Sequence, residues 1–217
     1  GFDLKGVSLN GASFVFATLM ETVMEEAELR DIDFSQATLD SSSFKKAKIK
    51  NVNFSSANLE GVTFEEATLK GCNFKNANLG NCDFSQATLD DCDFQGTNLG
   101  HSSFYSTTID NCNFAFSRML YAFLKQVIIS KCRFGGVNAR GSDLSFSKMT
   151  EVDMKGSTLK YADLNSCTLT DVNMANSNLI GADLKDAQCA GVQWEEVNLE
   201  GSDLTYANFE GANFKNA

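Results

Sequence analysis

The residues with most chemical potential in this 217-residue sequence recur at a fixed interval. Cys72, Cys92, Cys112 and Cys132 stand twenty residues apart, and Cys82, Cys167 and Cys189 bring the total to seven. Thiolates at that density could ligate a metal or pair as disulfides. Asp143, Asp163, Asp183 and Asp203 share the interval and could gather a cation or a basic partner. The single histidine, His101, stands beside Ser102 and Ser103, which supplies a base and a hydroxyl. What these residues can do depends on the elements that carry them.

Those elements follow from one period. A large apolar residue occupies every position whose number ends in 4 or 9, from Leu4 to Phe214, and among these 43 centres only Ala139 and Cys189 depart from Leu, Ile, Met, Phe or Trp. Two residues before each centre sits a small or β-branched residue, such as Ala37, Val52, Ala57, Val62, Ala67 or Cys72. A beat of five fits neither the helical period of 3.6 nor the strand period of 2, so each unit is a short extended piece closed by a turn. Three residues in five then face water.

A second period of twenty sets four units per coil. The column Ile32, Val52, Cys72, Cys92, Cys112, Cys132, Val152, Val172, Val192 is medium-sized throughout, and Ala27, Ala47, Ala67, Ala87 is small throughout. Phe centres alternate with Leu or Ile from Phe34 to Phe114, which puts the aromatics on two opposite walls of a square. At ~4.8 Å per coil, roughly eleven coils make a rod on the order of 50 Å long, with weak points at its exposed ends. The stretch from Phe14 to Arg30 is rich in helix formers, yet its centres keep the beat and it is expected to continue the winding.

On such a rod the four stacked cysteines form a straight ladder and do not converge on a tetrahedral point, so they are expected as core fillers. His101 falls on an outward corner without an orienting acid and is expected as solvated surface. The Asp column fits side-chain capping of the adjacent turns. No catalytic, cofactor or metal site is assigned.

The net charge of −10 disfavours direct contact with nucleic acid or anionic membrane. No run of 18 apolar residues and no basic-then-apolar leader occurs. Survival of the cysteines as thiols would imply a reducing compartment, and a cytoplasmic location is expected. One domain over residues 1–217 is expected, within a chain that can be longer, because the first residue is Gly1.

Units such as Ala57-Asn58-Leu59-Glu60-Gly61 and Ala77-Asn78-Leu79-Gly80-Asn81 resemble the pentapeptide-repeat family over essentially the whole sequence. The resemblance implies an all-β, right-handed quadrilateral parallel β-helix, a solenoid of about 20 residues per coil. It also implies a non-enzymatic protein. Some members of the family mimic DNA and bind type II topoisomerases, which makes a topoisomerase the alternative partner to an unidentified protein.

Charge density argues against mimicry. Ten net charges over about 50 Å are roughly three times sparser than the one per ~1.7 Å of duplex DNA. From Asn111 to Ser142 there is no Asp or Glu, while Arg118, Lys125, Lys131, Arg133 and Arg140 are present. In the same belt Phe116, Leu120, Tyr121, Phe123 and Ile128 hold outward positions, and a smaller apolar group, Val15, Phe16, Met20 and Val23, does so near the start. Tyr and Arg are enriched at interface hot spots. The wall through centres 119, 139, 159 and 179 has Arg118, Leu120, Tyr121, Arg140, Lys160, Tyr161 and Ile180 as expected neighbours, and with Phe123 of the belt it gives the candidate partner site: Arg118, Leu120, Tyr121, Phe123, Arg140, Lys160 and Tyr161. Self-association through uncapped ends is the further expectation.

Overall fold

The computed structural model describes residues 1–217. Nine three-residue strands form one parallel sheet in chain order: β1 (Ser8–Asn10), β2 (Glu28–Arg30), β3 (Lys48–Lys50), β4 (Thr68–Lys70), β5 (Thr88–Asp90), β6 (Thr108–Asp110), β7 (Ile128–Ser130), β8 (Lys148–Thr150) and β9 (Thr168–Thr170). Each residue of β1–β8 pairs with the one twenty positions later, as in Leu29↔Ile49 and Ile49↔Leu69. Three more sides repeat that offset as isolated parallel bridges, for example Ser43↔Thr63, Asp33↔Asn53 and Asn58↔Asn78. The molecule is a four-sided parallel β-solenoid of 20 residues per coil, and Phe14–Arg30 continues the winding without a helix.

The five-residue beat arises at the corners. After each centre the chain turns, and the second corner residue takes a left-handed conformation, with 31 non-glycine residues at φ between 51° and 60° and twelve glycines beside them. On most corners the centre carbonyl accepts from the amide three residues on, as from Ala37 to Phe34 (3.0 Å) and Ser42 to Leu39 (3.0 Å), which closes a β-turn. A non-glycine residue held there costs on the order of 1 kcal/mol, and it persists because ladders above and below fix the backbone.

The corner after β1–β9 lacks that closing bond. There the amide of Cys92 donates to Cys112 Sγ at 3.3 Å, and that of Cys112 to Cys132 Sγ at 3.3 Å. At Cys189 and Phe209 the closing bond returns, from Val192 (3.3 Å) and Ala212 (3.0 Å). The tighter corner reduces the strand to single bridges, Thr168↔Gln188 and Gln188↔Asn208. The continuous sheet thus has nine strands, fewer than the eleven levels expected, and its last two levels persist only as bridges.

Inside, 61 buried apolar residues make one column. Phe34, Phe54, Phe74, Phe94, Phe114 and Phe134 stack at 4.6–5.4 Å between successive centroids. Phe44, Phe64, Phe84 and Phe104 stack on the opposite side and meet the first row edge-on, as at Phe54–Phe64 (6.2 Å, 81°). Both geometries suit the ring quadrupole, so the two rows lock the square core. Beyond Phe134 the core changes to mostly Leu and Met, until aromatics return at Trp194, Phe209 and Phe214. Ala139 replaces the column's usual Leu, and an apolar void of about 10 Å³ opens among Met119, Leu124, Ile129, Phe134, Ala139, Leu144, Met149 and Met154.

Candidate functional site

All seven residues proposed from the sequence fall along one edge of the rod. Arg118 projects from the side that ends at Met119, Leu120 and Tyr121 form the corner that follows, and Phe123 opens the next side. One coil further along the same corner carries Arg140, and the coil after that carries Lys160 and Tyr161. Tyr121, Phe123 and Tyr161 are each about half exposed (51%, 51% and 58%). Phe116 and Ile128 are as exposed but lie on other parts of the circumference, one on the preceding corner and one in β7. The apolar belt therefore extends around part of the rod beyond this ridge, and only one arc of it belongs to the ridge.

The exposed rings are held in place. A Cβ on Gly141 would stand 2.6 Å from the Tyr121 ring, and one on Gly181 would stand 2.7 Å from the Tyr161 ring, so each tyrosine lies flat over a glycine one coil on. Both glycines also need their left-handed φ of 66° and 65°. His101 stacks on the other side of Tyr121 at 5.4 Å, and the Arg140 guanidinium sits 5.6 Å from the Tyr161 ring centroid. Rings fixed in this way lose little entropy when a partner covers them. His101, expected as solvated surface, is exposed and also part of this stack.

The cations here differ from those elsewhere. None of the eight Lys and Arg residues from Arg118 to Lys160 has a carboxylate within 4.0 Å, whereas eight of the ten outside that span do. Lys45 bridges Glu65, Lys46 bridges Glu66 and Lys48 bridges Glu28 across neighbouring coils. Such exposed pairs add little stability, but they neutralise their surroundings. The span with unpaired cations holds eight cations against three carboxylates, Asp143, Glu151 and Asp153.

The ridge runs toward the N-terminus into an open cleft of about 290 Å³. Gly80 and Gly100 form its floor, Asn78, Asn98 and His101 line it, Glu60 closes one end, and Arg118, Leu120 and Tyr121 close the other. The sequence reading missed this cleft, whose only signal was two glycines at a corner position that otherwise carries a larger side chain, such as Asp40, Glu60, Leu120 or Arg140.

The other candidates have structural roles. All seven cysteines are buried and free. Five of their thiols, those of Cys72, Cys82, Cys92, Cys112 and Cys132, donate to backbone carbonyls as small hydrogen-bonding fillers. Cys82 Sγ donates to the Leu59 carbonyl at 3.0 Å, as Ser102 Oγ does to Leu79 at 2.6 Å and Thr107 Oγ1 to Phe84 at 2.7 Å. Burial pushes the Cys82 and Cys167 thiols up and that of Cys189 up to about 12, so they stay protonated at neutral pH. No group of three or more His, Cys, Asp or Glu residues is arranged to hold a metal ion.

In the aspartate column each carboxylate caps its own corner. Asp143 accepts from the amide of Ser145 (2.9 Å), Asp163 from Asn165 (2.8 Å), Asp183 from Lys185 (2.9 Å) and Asp203 from Thr205 (3.0 Å). Lys185 Nζ spans Asp183 and Asp203, at 3.9 and 3.1 Å. The Thr205 hydroxyl and amide, and then Lys185, hold the Asp203 carboxyl down at about 2. Since the folded value lies below the ordinary one, these contacts favour the fold above the usual carboxylate range and are lost as pH falls toward 2.

Comparisons with known proteins agree with this architecture. A search of curated proteins finds no match to the sequence. Over 98% of its length the chain superposes on 86% of HetL, a pentapeptide repeat protein involved in heterocyst differentiation regulation from the cyanobacterium Nostoc sp. strain PCC 7120, with a TM-score of 0.60 at 21% identity. Full-length QnrB1, a plasmid-mediated fluoroquinolone resistance protein, aligns over 93% of each chain with a TM-score of 0.38 at 15% identity. Models of the pentapeptide repeats match residues 19–55, 27–66, 109–145, 147–186 and 182–217, and the model of the pentapeptide repeat region matches 47–124. With the five-residue beat, the twenty-residue register and these matches together, the chain belongs to the pentapeptide-repeat family.

Proposed function

We propose that this protein is a non-enzymatic interaction or scaffold protein that docks a protein partner on the ridge of Arg118, Leu120, Tyr121, Phe123, Arg140, Lys160 and Tyr161. One observation carries the reading: along this edge, exposed rings held over glycines coincide with cations that have no carboxylate of their own. Pre-positioned Tyr and Arg side chains around an apolar patch are the composition of an interface hot spot. The buried free thiols support a reducing, cytoplasmic setting for the encounter.

The test is quantitative capture from an extract of the source cells with the wild type and with the Leu120→Ser/Tyr121→Ser double variant. Loss of one specific partner by about tenfold or more, with the fold retained in circular dichroism, is the expected result. Equal capture by both proteins would remove the ridge from consideration. The alternative partner, a type II topoisomerase bound through duplex mimicry, is served poorly by this edge, whose cations have the wrong sign for a DNA mimic. Inhibition of gyrase supercoiling at micromolar protein would favour that alternative.

A further inference from the structure

The ridge and the cleft beside it form one surface. Arg118 belongs to both, at the end of the cleft and the start of the ridge. From Gly80 to Lys160 the corner rises through four coil spacings, about 19 Å, the length of about six extended residues. Along that path the cations are Arg118, Arg140 and Lys160, all without an internal carboxylate partner, in a molecule whose net charge is −10. Elsewhere on the rod, most cations are matched from the coil above or below, as at Lys5–Glu25 and Lys75–Asp93.

The cleft is not required by the backbone. Gly80 and Gly100 are absent from the left-handed set. A Cβ on Gly80 would come no closer than 3.5 Å to Asn78 Oδ1 and Asn98 Nδ2, and one on Gly100 would be 3.5 Å from Asn98 Oδ1 and 3.7 Å from the Leu120 carbonyl. A side chain would fit at either position, as Leu120 and Arg140 do on the next coils. One end of the opening is bounded by the stacked His101 and Tyr121 rings and by Leu120, which can meet an apolar group, while Glu60, Asn78, Asn81, Asn98 and Arg118 make the rest of its lining polar.

From this charge pattern and shape we infer that the occupant of the ridge is an acidic, extended segment of a partner protein. Its carboxylates pair with Arg118, Arg140 and Lys160, and one bulky apolar side chain enters the cleft against Leu120 and the His101–Tyr121 stack. The inference rests on the ridge being the docking surface and adds the chemistry of what docks there. Charge-assisted pairs from Arg to carboxylate would fix the register of the segment, and the fixed rings would supply contact area.

The experiment is a selection of displayed random peptides on the immobilised full chain, with labelled duplex DNA as a second probe. Enriched peptides are expected to carry several Asp or Glu residues and a bulky apolar residue. Their affinity should fall about tenfold or more on Arg118→Glu/Arg140→Glu and on Gly100→Leu, which fills the cleft and leaves the ridge side chains in place. Enriched peptides that are neutral or basic would overturn the inference, as would tight binding of the duplex. If Gly100→Leu binds like the wild type while Leu120→Ser/Tyr121→Ser does not, the cleft plays no part and the docking ridge stands. If no peptide is enriched, or if both variants bind like the wild type, the ridge itself is not the docking surface. Melting of each variant shows that it is folded when binding is measured.

Discussion

The coils from Phe34 to Phe114 and those from Phe116 to Tyr161 obey the same five-residue grammar to different ends. In the first region phenylalanines stack in two interlocking rows, and most cations are paired from a neighbouring coil. In the second, Phe134 is the last ring of the stack and the rest of the core is aliphatic or Met, with Ala139 beside a void; other aromatics lie outside, and the cations are unpaired. Since each coil of a solenoid contacts chiefly its neighbours, a well-packed region can sustain an adjacent one whose sequence is set by what it presents to solvent. Ala139, one of the residues that line the void, immediately precedes Arg140 of the ridge.

That contrast can be broken most severely in the core. Phe74→Ala removes a ring stacked on both Phe54 and Phe94 and is expected to cost about 3–5 kcal/mol, while Met154→Ala, beside an existing void, should cost closer to 2 kcal/mol. Urea unfolding of the two variants makes the comparison, and equal losses would mean that the regions are packed alike. In the opposite direction, Ala139→Leu restores the residue that Leu99 and Leu159 supply in the same column, and filling the void should raise stability by about 1 kcal/mol. A destabilised variant would show that the space cannot take a leucine without strain. The smallest effect is expected at the cleft: Gly100→Ala should stabilise by about 0.4–1 kcal/mol, because the backbone there suits any residue and alanine lowers the entropy of the unfolded chain. A fall in melting temperature would instead show that the fold needs glycine at this corner.

The winding was legible because its causes are local in sequence. Large centres at every fifth residue give the sides and corners, and columns such as Ile32 to Val192 give twenty residues per coil. The side-by-side placement of Tyr121, Arg140 and Tyr161 then followed from counting. Corner chemistry was harder to read, because a change in hydrogen bonding at Cys189 alters no centre's place in the beat yet ends the continuous strands at β9. The stack of His101 on Tyr121, the rings over Gly141 and Gly181 and the open floor at Gly80 and Gly100 depend on residues twenty apart on the outer surface. There the repeat imposes no residue type, so only coordinates reveal the pairing. The shortage of carboxylates in the belt was visible in the sequence, but the absence of ion pairs to Arg140, Lys148, Lys155 and Lys160 required distances.

The division between paired and unpaired cations is tested most directly by two triple charge reversals measured side by side for partner capture: Arg118→Glu/Arg140→Glu/Lys160→Glu on the ridge and Lys45→Glu/Lys46→Glu/Lys48→Glu in the phenylalanine-packed region. Loss of partner binding by the ridge variant alone is the predicted result, and equal retention by both, or loss confined to the second, would contradict the account.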